Sequence, residues 1–449
     1  MPRSRHKKLL TNEAIEFTIS GLSHEGRGIA RDPDKQDKIT FVFGALPGET
    51  VTAKLTRSMS RYNEAMAQEI LISSVERVEP PCPHFGVCGG CQLQHLQHDA
   101  QITEKQNFLA QQLTHFGKIT PKAWLAPLRG DPLGYRNKAR LGVRYVHKKE
   151  ALLVGFREQS SNKLAMIDHC AVLHPRVGEQ ILALRACINQ LQAKESIAQI
   201  EVAVGGEEVA LVFRHLTPLS PEDVEHLLAF GQTGNFSIYL QSGSRETVKK
   251  IWPQDAPESP ALLCYHLPDQ GLAFQFHPLD FTQVNPVINQ KMINQALMLL
   301  DLKPTDTVLD LFCGLGNFSL AMAQKAAKVT GIEGSAQMVQ LAEHNAAANQ
   351  LSNVYFQALD LSQPPREMFD VAYDKIVLDP PRCGAKEIVE QLALSGTAEI
   401  LYVSCNPATF ARDAAILVSQ NRYYLDKVGV MDMFPHTAHV ETMALFRRI

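Results

Sequence analysis

A cysteine and a glutamate lie far apart in this sequence but suit two halves of one reaction. Cys405 sits in Tyr402-Val-Ser-Cys405-Asn-Pro407, where an apolar run ends and a helix start follows. A thiolate at the carboxyl end of a buried strand is placed to attack an electron-poor ring carbon, and a base must then remove a proton so that the sulfur can leave. Glu441, in Pro435-His-Thr-Ala-His-Val-Glu441-Thr-Met, stands at the mouth of a predicted strand over Thr442 to Phe446 and is the candidate base. His436 and His439 compete with it, and Cys313 and Cys383 read as small buried hydrophobes. A second group is Cys82-x5-Cys88-x2-Cys91 in a glycine-rich loop, with Cys170 of Asp168-His-Cys170 as a distant fourth thiol. Clustered cysteines point to metal, although spacing alone leaves zinc and a 4Fe–4S cluster both open.

A third group would bind a cofactor. In Val308-Leu-Asp-Leu-Phe-Cys-Gly-Leu-Gly-Asn-Phe318 a strand runs into a turn whose Gly314 and Gly316 let the backbone approach a ligand closely. Glu333 ends the next strand, where an acid suits a ribose diol. Ser319 stands where a dinucleotide fingerprint has its third glycine, Asp360 follows the third strand, and Asp379-Pro380-Pro381 ends the fourth. This set resembles the class I S-adenosylmethionine-dependent methyltransferases more than a nicotinamide oxidoreductase. Enzymes that methylate exocyclic amines place an aromatic residue after the two prolines. Arg382 stands there instead. Carbon 5 of uracil, in contrast, becomes nucleophilic only after a thiolate adds to carbon 6, so it requires one cysteine and one base.

The Ser-Cys-Asn-Pro and His-x-x-His-Val-Glu-Thr-Met motifs together resemble the RNA 5-methyluridine methyltransferases, in particular the subgroup acting on 23S ribosomal RNA, over nearly the whole chain. The resemblance implies that Cys405 is the nucleophile and Glu441 the proton acceptor. It also implies that Gln283, Phe312, Asn317, Glu333, Asp360 and Asp379 bind S-adenosylmethionine, and that Cys82, Cys88, Cys91 and Cys170 hold a 4Fe–4S cluster. Cys383 departs from a one-cysteine pattern, since RNA 5-methylcytosine enzymes use a second cysteine after strand four. That chemistry is the alternative, and a non-catalytic ribosome-assembly factor is a further rival.

Three kinds of element must position these residues. Alternating apolar residues punctuated by glycines predict an OB-like β-barrel over residues 1–73, similar to the TRAM RNA-binding module, with Arg57, Arg61 and Tyr62 as candidate contacts. A mixed α+β central domain, 74–280, carries the cysteines and a helix from Asp99 to Phe116 whose Ile102, Leu109, Leu113 and Phe116 share a face. From Phe281 the alternation of strands and helices predicts a doubly wound, Rossmann-like α/β domain over 281–449. Net charge is −3, yet nine Lys/Arg against two acids between Lys118 and Glu150 leave that stretch at +7. There Arg136, Lys138 and Arg140 alternate as a phosphate track would. This pattern, together with the resemblance, predicts 23S RNA as partner, offering a loop uridine or one flipped from its stack, with no obligate protein partner. No apolar run is long enough for a membrane span, and the basic start at Arg3, Arg5, Lys7 and Lys8 lacks the apolar core of a secretory signal. The chain is expected in the cytoplasm.

Overall fold

The computed structural model describes residues 13–32, 35–159, 161–253, 262–369, 371–394, 396–419 and 421–449. The basic start of the chain lies outside them.

The amino-terminal strands form one curled sheet. Ile15–Thr18 pairs with Thr50–Ser58, then come Tyr62–Ile72, Lys35–Phe43, Gly28–Asp32 and Gly21–Leu22. Alternate residues point inward, so Phe17, Ile19, Val42, Val51, Ala53 and Ala65 fill the interior. The Ser20 N–H donates to the Ile29 carbonyl at 2.8 Å, tying the end of the first strand back to the third. Buried Glu49 closes the base: it receives Leu46 N–H and a two-pronged ion pair from Arg77 at 2.6 and 2.8 Å.

The central sheet runs Val248–Trp252, Ser237–Gln241, Glu208–His215, Ile197–Gly205, Lys138–Val146, Ala151–Gly155. Its two middle strands, Glu208–His215 and Ile197–Gly205, are largely apolar on both faces because both are covered. Val202, Leu211 and Phe213 meet the helices Ile181–Gln190 and Pro221–Gly234, while Ala203, Ala210, Val212 and Tyr239 face Leu263, Phe276 and Leu315 of the carboxyl-terminal half.

The third sheet has the order Val354–Ala358, Lys328–Glu333, Thr307–Leu311, Lys375–Leu378, Glu399–Ser404, Glu441–Arg448, Tyr423–Met431, Ala123–Trp124. The first five strands are parallel, and Glu441–Arg448 inserts antiparallel beside Glu399–Ser404. Strand order reverses between Thr307–Leu311 and Lys375–Leu378, which opens a crevice at their carboxyl ends.

Packing divides the chain differently from its sequence pattern. Helix His98–Gln111 and Ile119 bury Ile102, Leu109 and Leu113 in the core of the third sheet, and Ala123–Trp124 extends that sheet along Tyr423–Met431. The hairpin Leu263–Leu267 and Leu272–Phe276 likewise packs Leu267, Leu272 and Phe274 against the helix Pro286–Leu300. Segments that fall within 74–280 therefore belong by burial to the carboxyl-terminal body. Phe116 does not share the buried helix face, being 73 % exposed. The last turn, Gln112–Gly117, is a π-helix, which shifts the angular register after Leu113 and turns Phe116 outward.

Candidate active site

The crevice is built from strand ends. Leu311 pairs with both Ile332 and Leu378, so Phe312, Glu333 and Asp379 leave three neighbouring strands at one level. Phe312 turns the chain with φ +63°, and Gly314 and Gly316 continue in the left-handed region at +54° and +87°. Such a bend at a bulky residue costs about 1–3 kcal/mol and is held by its surroundings. A side chain on Gly316 would meet Leu320 at 2.5 Å, so this position requires glycine for space as well as conformation. Glu333 receives Gly314 N–H at 3.1 Å and Ser335 N–H at 3.1 Å, which presents its carboxylate to the loop. Asn317 exchanges amide hydrogen bonds with Asn289 at 2.8 and 3.2 Å and accepts one from the Tyr265 hydroxyl at 3.1 Å. Asp360, exposed on the next loop, accepts from Ser362 N–H and Oγ. Gln283 is partly buried in the loop that leads to the helix Pro286–Leu300, which Asn285 caps by accepting Ile288 N–H. The donor types fit an adenosyl ligand: Glu333 and Asp379 end the two flanking strands, and the glycine turn and Asn317 follow the strand between them.

Two of these acids feel the apolar sheet beneath them. Burial pushes Asp379 up to about 7. Asp310 also rises to about 7, through burial offset by the Ser319 hydroxyl that donates to it, and its Oδ1 has no partner.

The cysteine and glutamate come together across one strand pair. Ser404 pairs with Thr442 in the antiparallel ladder, so Cys405, one residue after, and Glu441, one residue before, face each other at its open end. Glu441 is itself the first residue of the last strand rather than a residue ahead of it. The Ser-Cys-Asn-Pro motif has a local explanation. Asn406 accepts Ala408 N–H at 3.1 Å and caps the helix Pro407–Ser419, with proline at the first helical position. Its amide donates to the Arg382 carbonyl at 3.1 Å, and Thr409 Oγ donates to the same carbonyl. Cys405 thus sits just outside a helix amino terminus, whose partial positive charge favours a thiolate. Opposing this, burial together with Glu441 and Asp379 pushes the thiol up to about 11, while Arg382 pulls it down. Glu441 rises to about 8 through burial and the Asp379 charge, again opposed by Arg382 and Lys105. Arg382 donates to the His439 ring at 3.0 Å. Burial and the Arg382 charge hold His439 at about 4, and burial with the His98 charge does the same for His436, so both imidazoles are neutral at pH 7. Cys313 lies buried beneath the glycine loop, whereas Cys383 is exposed and does not match a small core residue.

The sequence reading passed over two members of this site. Arg382 was visible directly after Asp-Pro-Pro but served only to exclude a stacking aromatic. Lys105 lies between Ile102 and Leu109 on the buried helix face, and a lysine inside such a stripe signals a buried ion pair.

Cys82, Cys88, Cys91 and Cys170 line one small cavity with Phe85, Phe156 and Ile167. Among the described residues, no group of three or more His, Cys, Asp or Glu side chains is placed to hold a single metal ion. Burial, reinforced by the neighbouring thiols, pushes Cys88 to about 11 and Cys91 to about 12, so these two thiols are protonated at pH 7.

The three basic residues after Gly134 do not form one open face. Arg136 precedes the strand; its Nε donates to the Lys138 carbonyl and its side chain borders the cysteine cavity. Lys138 turns inward to donate to the Pro278 carbonyl, and burial lowers it to about 8. Arg140 is exposed and pairs with Glu201 at 2.5 Å. A cationic side chain with a carbonyl or carboxylate partner satisfies itself inside the protein, which alternation of charge cannot reveal. In the barrel, Arg57 and Arg61 are exposed and Tyr62 packs edge-on to Phe41 at 5.6 Å.

A doubly wound sheet with a glycine loop, an acid at the end of its second strand and Asp-Pro-Pro at the fourth defines a class I methyltransferase. A profile of the tRNA (uracil-5-)-methyltransferase family matches residues 97–449 and one of the TRAM domain matches 8–67. A curated relative from Hahella chejuensis, named 23S rRNA (uracil(1939)-C(5))-methyltransferase RlmD, is 49 % identical over 99 % of this chain and 100 % of its own. A relative of the same name from Alcanivorax borkumensis is 48 % identical over 99 % of each. The solved structure of Pyrococcus abyssi tRNA (uracil-54, C5)-methyltransferase in complex with S-adenosyl-L-homocysteine superposes with a TM-score of 0.73, covering 96 % of this chain and 100 % of that one at 24 % identity, and so shares the fold. The chain belongs to the RNA uracil-C5 methyltransferase family.

Proposed function

We propose that this protein transfers a methyl group from S-adenosylmethionine to carbon 5 of one uridine in 23S ribosomal RNA, through a covalent bond between Cys405 and carbon 6. The observation that carries the reading is the placement of Cys405 and Glu441 on facing strand ends beside Asp379 and Arg382. The 23S substrate follows the names of the full-length relatives.

S-adenosylmethionine supplies an electrophilic methyl on a cationic sulfonium. Glu333, Asp360, Asn317, Gln283 and Phe312 would hold it, and Asp379 faces both cofactor and base. Cys405 gives up its proton to solvent and its sulfur bonds to carbon 6. The displaced π electrons move to the ring as an enolate, and carbon 5 uses them to take the methyl, whose bonding pair would stay on sulfur as S-adenosylhomocysteine leaves. Glu441 then removes the proton from carbon 5. That electron pair re-forms the double bond to carbon 6 as the carbon–sulfur bond breaks and the thiolate departs. The target must leave its stack to reach this depth.

Four soft donors around one apolar cavity also support a 4Fe–4S cluster on Cys82, Cys88, Cys91 and Cys170. Cys82, Cys88, Cys91 and Cys170 would hold it through their thiolates, with Phe85, Phe156 and Ile167 shielding it from solvent. Such a cluster would cross-link loops; methyl transfer consumes no electrons.

The test is RNA containing 5-fluorouridine. With cofactor it should trap the protein through Cys405, because fluorine cannot leave as a proton does. Absence of an adduct, or a bond to another side chain, would overturn the mechanism.

A further inference from the structure

The segment Asp432–Val440 leads directly into Glu441, and groups to which the mechanism above assigns no contact with the reacting atoms hold it from two sides. From the helix His98–Gln111, Lys105, 3 % exposed, donates to Asp432 Oδ1 at 2.7 Å and to the Phe434 carbonyl at 3.0 Å. His98 meets the other oxygen of Asp432 at 2.7 Å. Gln101 accepts His436 N–H at 2.9 Å and donates to His436 Nδ1 at 3.1 Å.

From the cysteine loop, the backbone N–H groups of Gln92 and Leu93 both donate to the His436 carbonyl at 2.9 Å. The Gln92 side chain accepts Ala438 N–H at 3.4 Å and donates to the Gly89 carbonyl at 2.8 Å, between Cys88 and Cys91. Tyr135, beside Cys91 in a small buried cluster, donates to the Pro435 carbonyl at 3.0 Å. His436 itself has φ +65°, a conformation that a non-glycine residue keeps only when its surroundings over-determine it. Its N–H, carbonyl and ring Nδ1 are all engaged.

We infer that Lys105 and Gln92 are positioning residues for Glu441, and that the cysteine loop acts on the proton-removal step through Gln92. The inference rests on the covalent mechanism proposed above. Cys405 is fixed separately, by Ser404, Asn406 and the helix Pro407–Ser419. Loosening the strap therefore leaves sulfur addition and methyl transfer intact and displaces only the base. The methylated ring would then stay bonded to Cys405, its carbon 5 proton unremoved.

The experiment compares Gln92→Ala, Lys105→Met and Lys105→Arg with the unchanged chain, using RNA with ordinary uridine, RNA tritiated at uridine carbon 5, and RNA with 5-fluorouridine. In Gln92→Ala and Lys105→Met, tritium release should slow about tenfold, a rise of about 1.4 kcal/mol in the barrier for that step. A covalent complex with ordinary uridine should accumulate on denaturing gels, while 5-fluorouridine trapping and S-adenosylhomocysteine affinity stay within about twofold. Lys105→Arg should restore most of the release. Hydrogen exchange at the His436 and Ala438 amides should quicken in Gln92→Ala. If trapping and release fall together, or no complex with ordinary uridine builds up, the strap merely supports the fold and the inference fails. If Lys105→Met does not fold, the half-exposed Gln92→Ala decides alone. Failure of the unchanged chain to trap 5-fluorouridine would instead overturn the mechanism beneath it.

Discussion

At the scale of the residue, the site holds its acid and its thiol in forms that the reaction must change. Glu441, at about 8, is mostly protonated at pH 7 in the cofactor-free protein, and the Cys405 thiol near 11 is un-ionised. Proton removal requires the ionised carboxylate, so its rate should rise with pH through about 8 and flatten above. Tritium release from a preformed adduct isolates that step from thiol ionisation, and Glu441→Gln should abolish the pH-dependent limb and leave the adduct standing. Cofactor binding offers a second check. The Tyr265 hydroxyl bond to Asn317 is a single neutral contact, worth about 1 kcal/mol, so Tyr265→Phe should weaken S-adenosylhomocysteine binding about fivefold by titration calorimetry. Both residues are nearly invisible in sequence for different reasons. Glu441 needed its motif to stand out from surface glutamates, while Tyr265 sits on a hairpin whose neighbours carry no chemical pattern.

At the scale of the element, local signals were sufficient where a strand is buried on its own account. The runs around Val308, Val329 and Ile400 are apolar enough to announce a parallel sheet, and they form the strands Thr307–Leu311, Lys328–Glu333 and Glu399–Ser404. The same apolar runs end in Phe312, Glu333 and Cys405, so the depth of the crevice was legible too. What periodicity could not report is which body a helix serves. His98–Gln111 has the stripe of any amphipathic helix, and only tertiary packing assigns it to residues more than 300 positions later. Charge alternation at Arg136, Lys138 and Arg140 does not report exposure for a related reason, because a backbone carbonyl is an excellent partner for a lysine and leaves no trace in sequence. If the helix belongs to the carboxyl-terminal body, Leu113→Ala, fully buried there, should lower stability by about 2–5 kcal/mol in denaturant titration. An amino-terminal fragment should show no folded transition at that helix.

At the scale of the whole molecule, the crevice costs stability when it is empty. Asp379 has a folded value near 7, above its unfolded value near 4, so it contributes fully below about pH 4 and loses that contribution as pH rises through 7. Asp379→Asn should therefore raise the melting temperature of the cofactor-free protein at pH 8, with the advantage vanishing near pH 4. A sulfonium cation placed in the crevice would reduce the penalty, so S-adenosylmethionine should narrow the difference between the two proteins at pH 8. Thermal melts at the two pH values, with and without ligand, check both signs.

Lys105 and Asp432 are 327 residues apart. During synthesis the helix bearing Lys105 emerges with Ile102 and Leu109 exposed to water, and its binding surface follows 327 residues later. The nascent polypeptide must therefore carry an unsatisfied greasy stripe and a lone cation through most of translation, the state in which aggregation and chaperone capture compete with folding. Truncation near the carboxyl terminus would cost this protein far more than its last strand.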